Sequence, residues 1–214
     1  NGPYATCGTD PVSISASTNG VGQWSSSGSG TFGDASAPAT TYTPGVNEVG
    51  STVTLTWETF DPDGGGPCTG AESSTNLVIT VPATAQPGGP YTICSSDVAN
   101  IEVTTTPGGG SWSGGQGSFG DATASSTTYT PGPGEAGTTV QLTWTTVDPD
   151  GTGPCPQVIA TVAVNVLEAA IAQANGPYAT CGADPVSISA STNGTGQWSS
   201  SGSGTFGDAS APAT

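Results

Sequence analysis

The sequence predicts an all-β chain, a series of two-sheet sandwiches of about seven short strands each, set end to end in a rod. Three observations carry that prediction. Short runs alternate apolar and polar residues with a period of two; Gly, Pro, Asn or Asp breaks the chain between the runs; and the whole pattern recurs at a fixed spacing.

The recurrence sets the domain organisation. Asn1–Thr40 returns as Asn175–Thr214 with only Thr9/Ala183 and Val21/Thr195 different. A more divergent copy lies between them: Tyr4, Tyr91 and Tyr178 are 87 residues apart, as are Cys7, Cys94 and Cys181, and Phe32, Phe119 and Phe206. Trp24, Trp112 and Trp198 slip by one residue and back, which marks a small insertion before Trp112. The chain therefore reads as module A over residues 1–86, module B over 87–173, and a third, A-type copy over 174–214 that stops short of its later strands. The larger unit is an A–B pair, and a longer natural protein with many modules is expected.

Within module A the strands follow one another closely. Tyr4–Cys7 opens the module, and Val12–Thr18 presents Val12, Ile14 and Ala16 on one face. Gly22–Ser26 carries Trp24, where immunoglobulin-like sandwiches place a core tryptophan. Thr31–Phe32 and Thr40–Thr43 are short. Thr52–Phe60, "TVTLTWETF", sets Val53, Leu55, Trp57 and Thr59 against Thr52, Thr54, Thr56 and Glu58 on the opposite face, and "TVQLTWTTV" from Thr139 repeats the alternation. Thr75–Val81 closes the set, giving the seven strands of an Ig-like β-sandwich.

A module of this size buries a low fraction of its surface, so covalent support is expected. Cys7 and Cys68 are 61 residues apart, as are Cys94 and Cys155, which predicts one disulfide per module, Cys7–Cys68 and Cys94–Cys155, with Cys181 bonded to a partner beyond the end of the chain. A closed loop of about 60 residues contributes roughly 4 kcal/mol in the chain-entropy model. The sequence has no CxxC pair and no His, which argues against metal-binding cysteines. Repeated disulfides point to an oxidising, extracellular location.

Charge excludes several function classes. The chain has 16 Asp plus Glu and no Lys, Arg or His. Nucleic-acid partners need cationic side chains to neutralise phosphate, and anionic membranes disfavour such a chain. No apolar run approaches the length of a membrane span. Serine nucleophiles lack any His or Lys to activate them, so an enzyme is not expected.

Three features are candidate sites. The loops "DPDGGGPC" and "DPDGTGPC" place Asp61 and Asp63, and again Asp148 and Asp150, around a proline and before glycines. This reads first as a turn, with proline fixing φ and glycine accepting positive φ. The alternative is a Ca2+ loop built on hard carboxylate oxygens, with Asp10 or Asp97 at the same pole. An acid pair for glycoside hydrolysis fits less well, because the pair is copied in each module. Trp24 and Trp112 read as core residues, with sugar stacking as the alternative. Asn193 begins a glycosylation sequon that its counterpart Asn19 lacks.

The stretches "GTFGDASAPATTYTPG…VGSTVTLTWETFDPDGGGPC" and "GSFGDATASSTTYTPGPGEAGTTVQLTWTTVDPDGTGPC" resemble the immunoglobulin-like, PKD-related repeats of giant cell-surface proteins of Bacteroidota-type bacteria, including gliding-motility adhesins. The resemblance spans both complete modules and the partial third, and it implies a structural extracellular fibre or adhesin stalk. The expected partners are neighbouring repeats and surface glycans. The alternative function is a calcium- or carbohydrate-binding module of a larger secreted protein. The connections "VPATAQPGGPY" and "VLEAAIAQANGPY" are short and contain no long Gly/Ser tract, so neighbouring modules should be closely coupled.

Overall fold

A computed structural model describes residues 2–214. Module A contains β1 (Tyr4–Cys7), β2 (Val12–Ser15), β3 (Gly22–Ser26), β4 (Thr31–Phe32), β5 (Ala39–Thr43), a 3-10 turn at Val46–Glu48, β6 (Thr52–Thr59) and β7 (Glu72–Thr80). All seven expected strands form. They make two sheets, ordered β1-β7-β6-β3 and β2-β5-β4. Every pairing is antiparallel except β1 with β7, where Tyr4 pairs with Leu77 and Cys7 with Thr80 in parallel register.

Module B repeats this with β8 (Thr84–Pro87), β9 (Tyr91–Cys94), β10 (Ala99–Thr106), β11 (Gly110–Gly114), β12 (Ser118–Phe119), β13 (Ser126–Thr130), β14 (Thr138–Thr146) and β15 (Ile159–Leu167), in sheets β11-β14-β15-β9 and β12-β13-β10-β8. The eighth strand is β8, which pairs with Val103–Thr106. Strand pairing thus starts the second unit at Thr84. Module A has no such partner among the described residues, and there the matching strand ends at Ser15 instead of running on to Thr18. A strand persists only where its backbone groups find partners.

The cores follow the alternation. Ile14, Trp24, Tyr42, Val53, Leu55, Trp57, Leu77 and Ile79 are buried together in module A. Module B buries Ile101, Val103, Trp112, Tyr129, Val140, Leu142, Trp144, Val162, Val164 and Val166. Trp24 meets Trp57 edge-on at 5.4 Å between ring centroids, and Trp112 meets Trp144 likewise at 5.3 Å. Such pairs add about 0.5–1.5 kcal/mol to their area burial.

The third copy forms only β16 (Ala172–Ala174) and β17 (Ala190–Thr192), paired with each other. It keeps several local signatures: Trp198 Nε1 donates to Ala211 O at 2.9 Å, as Trp24 does to Ala37 O and Trp112 to Ala124 O, and Ser189 N–H donates to the Tyr178 hydroxyl at 2.9 Å as Ser15 N–H does to that of Tyr4. The sequence of this copy contains no counterpart of β6 or β7, the strands that bring Val53, Leu55, Trp57, Leu77 and Ile79 to the core. Its apolar residues consequently stay at the surface.

Candidate functional site

The topology brings the most chemistry to the junction between modules A and B. Because β1 runs parallel to β7, Cys7 lies beside Thr80, at the pole where module A passes into module B. Gly8 follows at φ +56, with its N–H donating to Thr80 O at 2.9 Å; a Cβ there would stand 2.8 Å from Pro82. The left-handed turn and the close approach both require glycine.

Module B reaches back with the loop after β14. Asp148 Oδ1 accepts from the N–H of Asp150 (3.1 Å) and of Gly151 (2.9 Å), and Asp150 Oδ2 accepts from Cys155 N–H (3.0 Å). The tightened loop delivers Cys155, which is 1% exposed, onto module A, where its Sγ lies 3.8 Å from Thr80 O. Cys7 and Cys155 form a disulfide with Cα atoms 5.0 Å apart, within the usual range. Pro149, Pro107 and module A residues Gly50–Thr52 and Val78–Val81 line a groove beside the bond.

This corrects the expected pairing. Cys7–Cys68 and Cys94–Cys155 do not form; Cys68, Cys94 and Cys181 carry free thiols. The reason is polarity. β6 runs antiparallel to β7, so the loop that leaves β6 starts beside Glu72, whereas Cys7 sits beside Thr80 at the other end of β7. Nine residues of strand separate the two poles by roughly 27 Å. Cys94 pairs in register with Leu167 and is separated from the Ile159 end of module B in the same way.

The four aspartates form turns. In module A, Asp61 Oδ1 accepts from Asp63 N–H and Gly64 N–H, each at 3.1 Å, while Asp63 accepts from Gly66 N–H (3.0 Å) and Cys68 N–H (3.1 Å). The Cys68 N–H, with Asp61 and Gly66, holds the Asp63 carboxyl below the usual carboxylate range. Among the described residues no group of three or more His, Cys, Asp or Glu is placed to hold a metal ion. Trp24 and Trp112 are 4% and 3% exposed and present no ring face to a sugar.

A buried polar cluster escaped sequence reasoning. Glu48 accepts from the Tyr42 hydroxyl (3.0 Å) and the N–H groups of Gly30 (3.0 Å), Gly45 (2.8 Å) and Ser29. Glu135 accepts from the Tyr129 hydroxyl (2.9 Å), Gln116 N–H (2.6 Å) and Gly132 N–H (2.6 Å). Burial works against each charge, but the backbone N–H donors and the hydroxyl outweigh it and hold both carboxyls below their usual range. The same burial, with the carboxylate alongside, pushes the Tyr42 and Tyr129 hydroxyls up. With no Lys, Arg or His in the chain, backbone N–H dipoles and one tyrosine hydroxyl stabilise each of these charges. The signal was present as Tyr-x-x-Gly-x-x-Glu in both copies.

No protein-family model matches the chain, and no curated protein matches it in sequence. The crystal structure of human CDH23 EC21-23 aligns over 99% of this chain and 91% of its own, at 10% identity and TM-score 0.49. Mouse cadherin-23 EC22-24 aligns over 80% of this chain and 65% of its own, at 15% identity and TM-score 0.41. The insect immune protein hemolin aligns over 78% and 44%, at 13% identity and TM-score 0.45. The chain thus spans less than two thirds of the mouse cadherin-23 and hemolin structures.

The fold is an Ig-like β-sandwich in tandem copies, one disulfide joins two of them, and among the described residues no helix is long and apolar enough to cross a membrane.

Proposed function

We propose that this chain is a segment of a structural extracellular fibre or adhesin stalk, in which Ig-like modules are coupled end to end to give reach and mechanical strength. The observation that carries the reading is the covalent bond across a module junction, Cys7–Cys155. A bond inside a module stabilises that module only; a bond between modules also fixes how they succeed one another. The junction groove and the three-residue connection between Thr80 and Thr84 support the same reading. A net charge of −16 with no cation keeps neighbouring rods apart and soluble.

The reading is non-catalytic, since the paired carboxylates are spent on their own loop amides or buried under a tyrosine. The disulfide favours an oxidising compartment outside the cytoplasm. The resemblance of the "TTYTPG" and "DPDG" stretches to giant surface proteins of Bacteroidota supports a fibre at a bacterial cell surface, with neighbouring repeats as its first partners. Electron microscopy of the native protein tests this: thin filaments with an axial repeat of one or two modules are expected, and isolated globules would overturn it.

A further inference from the structure

We propose that Cys94 and Cys68 are two half-sites of the same inter-module bond: Cys94 bonds to the Cys68-type cysteine of a module that follows it, and Cys68 takes the Cys7-type cysteine of a module that precedes it. The proposal rests on the tandem-array reading and adds a rule for its connectivity. Each cysteine of module n that ends the first strand joins the loop cysteine of module n+1.

Both half-sites duplicate the bonded pair. Cys94 pairs in parallel register with Leu167 as Cys7 does with Thr80. Ser95 N–H donates to Leu167 O at 2.8 Å, matching Gly8 N–H to Thr80 O at 2.9 Å, and Asp97 N–H returns to Cys94 O at 2.9 Å as Asp10 N–H does to Cys7 O at 3.0 Å. The loop cysteines match equally well, with Cys68 N–H on Asp63 at 3.1 Å and Cys155 N–H on Asp150 at 3.0 Å.

What differs between the copies is whether a neighbour is there. The loop of module B is covered where it meets module A: Cys155 is buried, and Pro149 and Asp150 are half-buried. The same loop in module A is exposed at every residue from 61 to 70, and among the described residues no module precedes β1 to cover it. At the other end, 87 residues separate Thr80 from Leu167 and also Cys94 from Cys181, so the B-to-A connection has the length of the A-to-B connection. The third copy contains no loop of this type to meet Cys94. Among the described residues, neither Cys68 nor Cys94 faces the partner strand or loop that joins Cys7 to Cys155.

Bond formation joins two sulfurs and releases two protons and two electrons. The electrons pass to a disulfide of the thiol–disulfide exchange class, such as oxidised glutathione, which leaves as two thiols. The Ser96 hydroxyl and N–H hold the Cys94 thiol below its usual range, which favours the attacking thiolate. In an array the bonds overlap, so each module is tied to both neighbours.

The test is a chain carrying residues 1–174 twice in tandem, oxidised with a glutathione pair, with free thiols counted by alkylation under native conditions and cross-links mapped after proteolysis at Asp and Glu. Of its eight cysteines, two are expected free, Cys68 of the first copy and Cys94 of the second. Four free thiols, with only Cys7–Cys155 formed in each copy, would overturn the relay and leave the junction bond standing. No free thiols, with each module closed on itself, would overturn both. Cys94→Ser in the first copy alone should raise the count from two to three; an unchanged count would refute the assigned partner.

Discussion

Cys155→Ser should lengthen the chain under tension and weaken both modules at once. The Cys7–Cys155 bond spans 148 residues, so a force applied at the two termini passes from Cys7 directly to Cys155; it loads β1 and β15, which lie outside the closed loop, and leaves the strands from β2 to β14 unloaded. At about 3.4 Å per residue the closed loop hides roughly 500 Å of extended chain, and the 65 residues outside it stretch to only about 220 Å. Single-molecule stretching of the oxidised chain should therefore stop near 220 Å, and Cys155→Ser or a reductant should raise the limit about threefold. Within-module bonds would give a different series. Two loops of 61 residues would leave about 310 Å in the oxidised chain, and Cys155→Ser would release only about 200 Å more; that result would refute the inter-module assignment. The same bond acts on stability. If module B opens while A stays folded, Thr80 still anchors Cys7, so the bond closes a loop of about 75 residues, worth roughly 4–5 kcal/mol in the chain-entropy model; the symmetrical argument holds for module A. The variant should lower the melting transitions of both modules, and a loss confined to one module would show that the other does not use the bond.

Further consequences follow from the same geometry. Alkylation of the oxidised 214-residue chain should find three free thiols, Cys68, Cys94 and Cys181, whereas within-module pairing leaves one. Glu48→Gln should cost module A about 2–3 kcal/mol, because it leaves buried N–H donors with a poorer acceptor; a change below about 0.5 kcal/mol by denaturant unfolding would sink this account of the cluster. Glu48 and Glu135 have depressed folded values, so their stabilisation is complete above the unfolded carboxylate range and fades as pH falls through the folded values. Melting from pH 7 to pH 3 should show that acid loss in the native chain and a flatter limb in the double Gln variant, while relief of the −16 net charge affects both alike. Calcium at millimolar concentration should leave the melting temperature unchanged, since Asp61, Asp63, Asp148 and Asp150 are engaged by loop amides; a rise of several degrees, lost in Asp148→Asn, would restore the calcium reading. Glu58 and Glu72 stand directly opposite on β6 and β7, so Glu72→Thr should stabilise module A by about 0.5 kcal/mol, with the gain shrinking in high salt.

Much of the fold was legible because it rests on local patterns. Alternation of Val53, Leu55 and Trp57 fixed the buried face of β6, glycine and proline marked the turns, and the 87-residue period marked the copies. Edges were less legible. The strand expected over Val12–Thr18 stops at Ser15 because pairing, not propensity, sets its length, and Thr84–Pro87 joins the second unit because its partners are Val103–Thr106. The buried Glu48 and Glu135 were passed over because an acidic residue in a turn ordinarily faces water; only the convergence of Tyr42 or Tyr129 with several backbone N–H groups makes burial tolerable.

The sequence by itself determined that this is an all-β, disulfide-using array without cationic chemistry, because composition, period and alternation are properties of the chain read in order. Which cysteines meet was decided by tertiary structure. Equal spacings of 61 residues made Cys7–Cys68 and Cys94–Cys155 look like pairs, but spacing along a chain says nothing about which pole of a sandwich a residue occupies. The parallel pairing of β1 with β7 carries Cys7 to one pole and the antiparallel pairing of β6 with β7 sends the Cys68 loop to the other, so the nearest loop cysteine belongs to the next module.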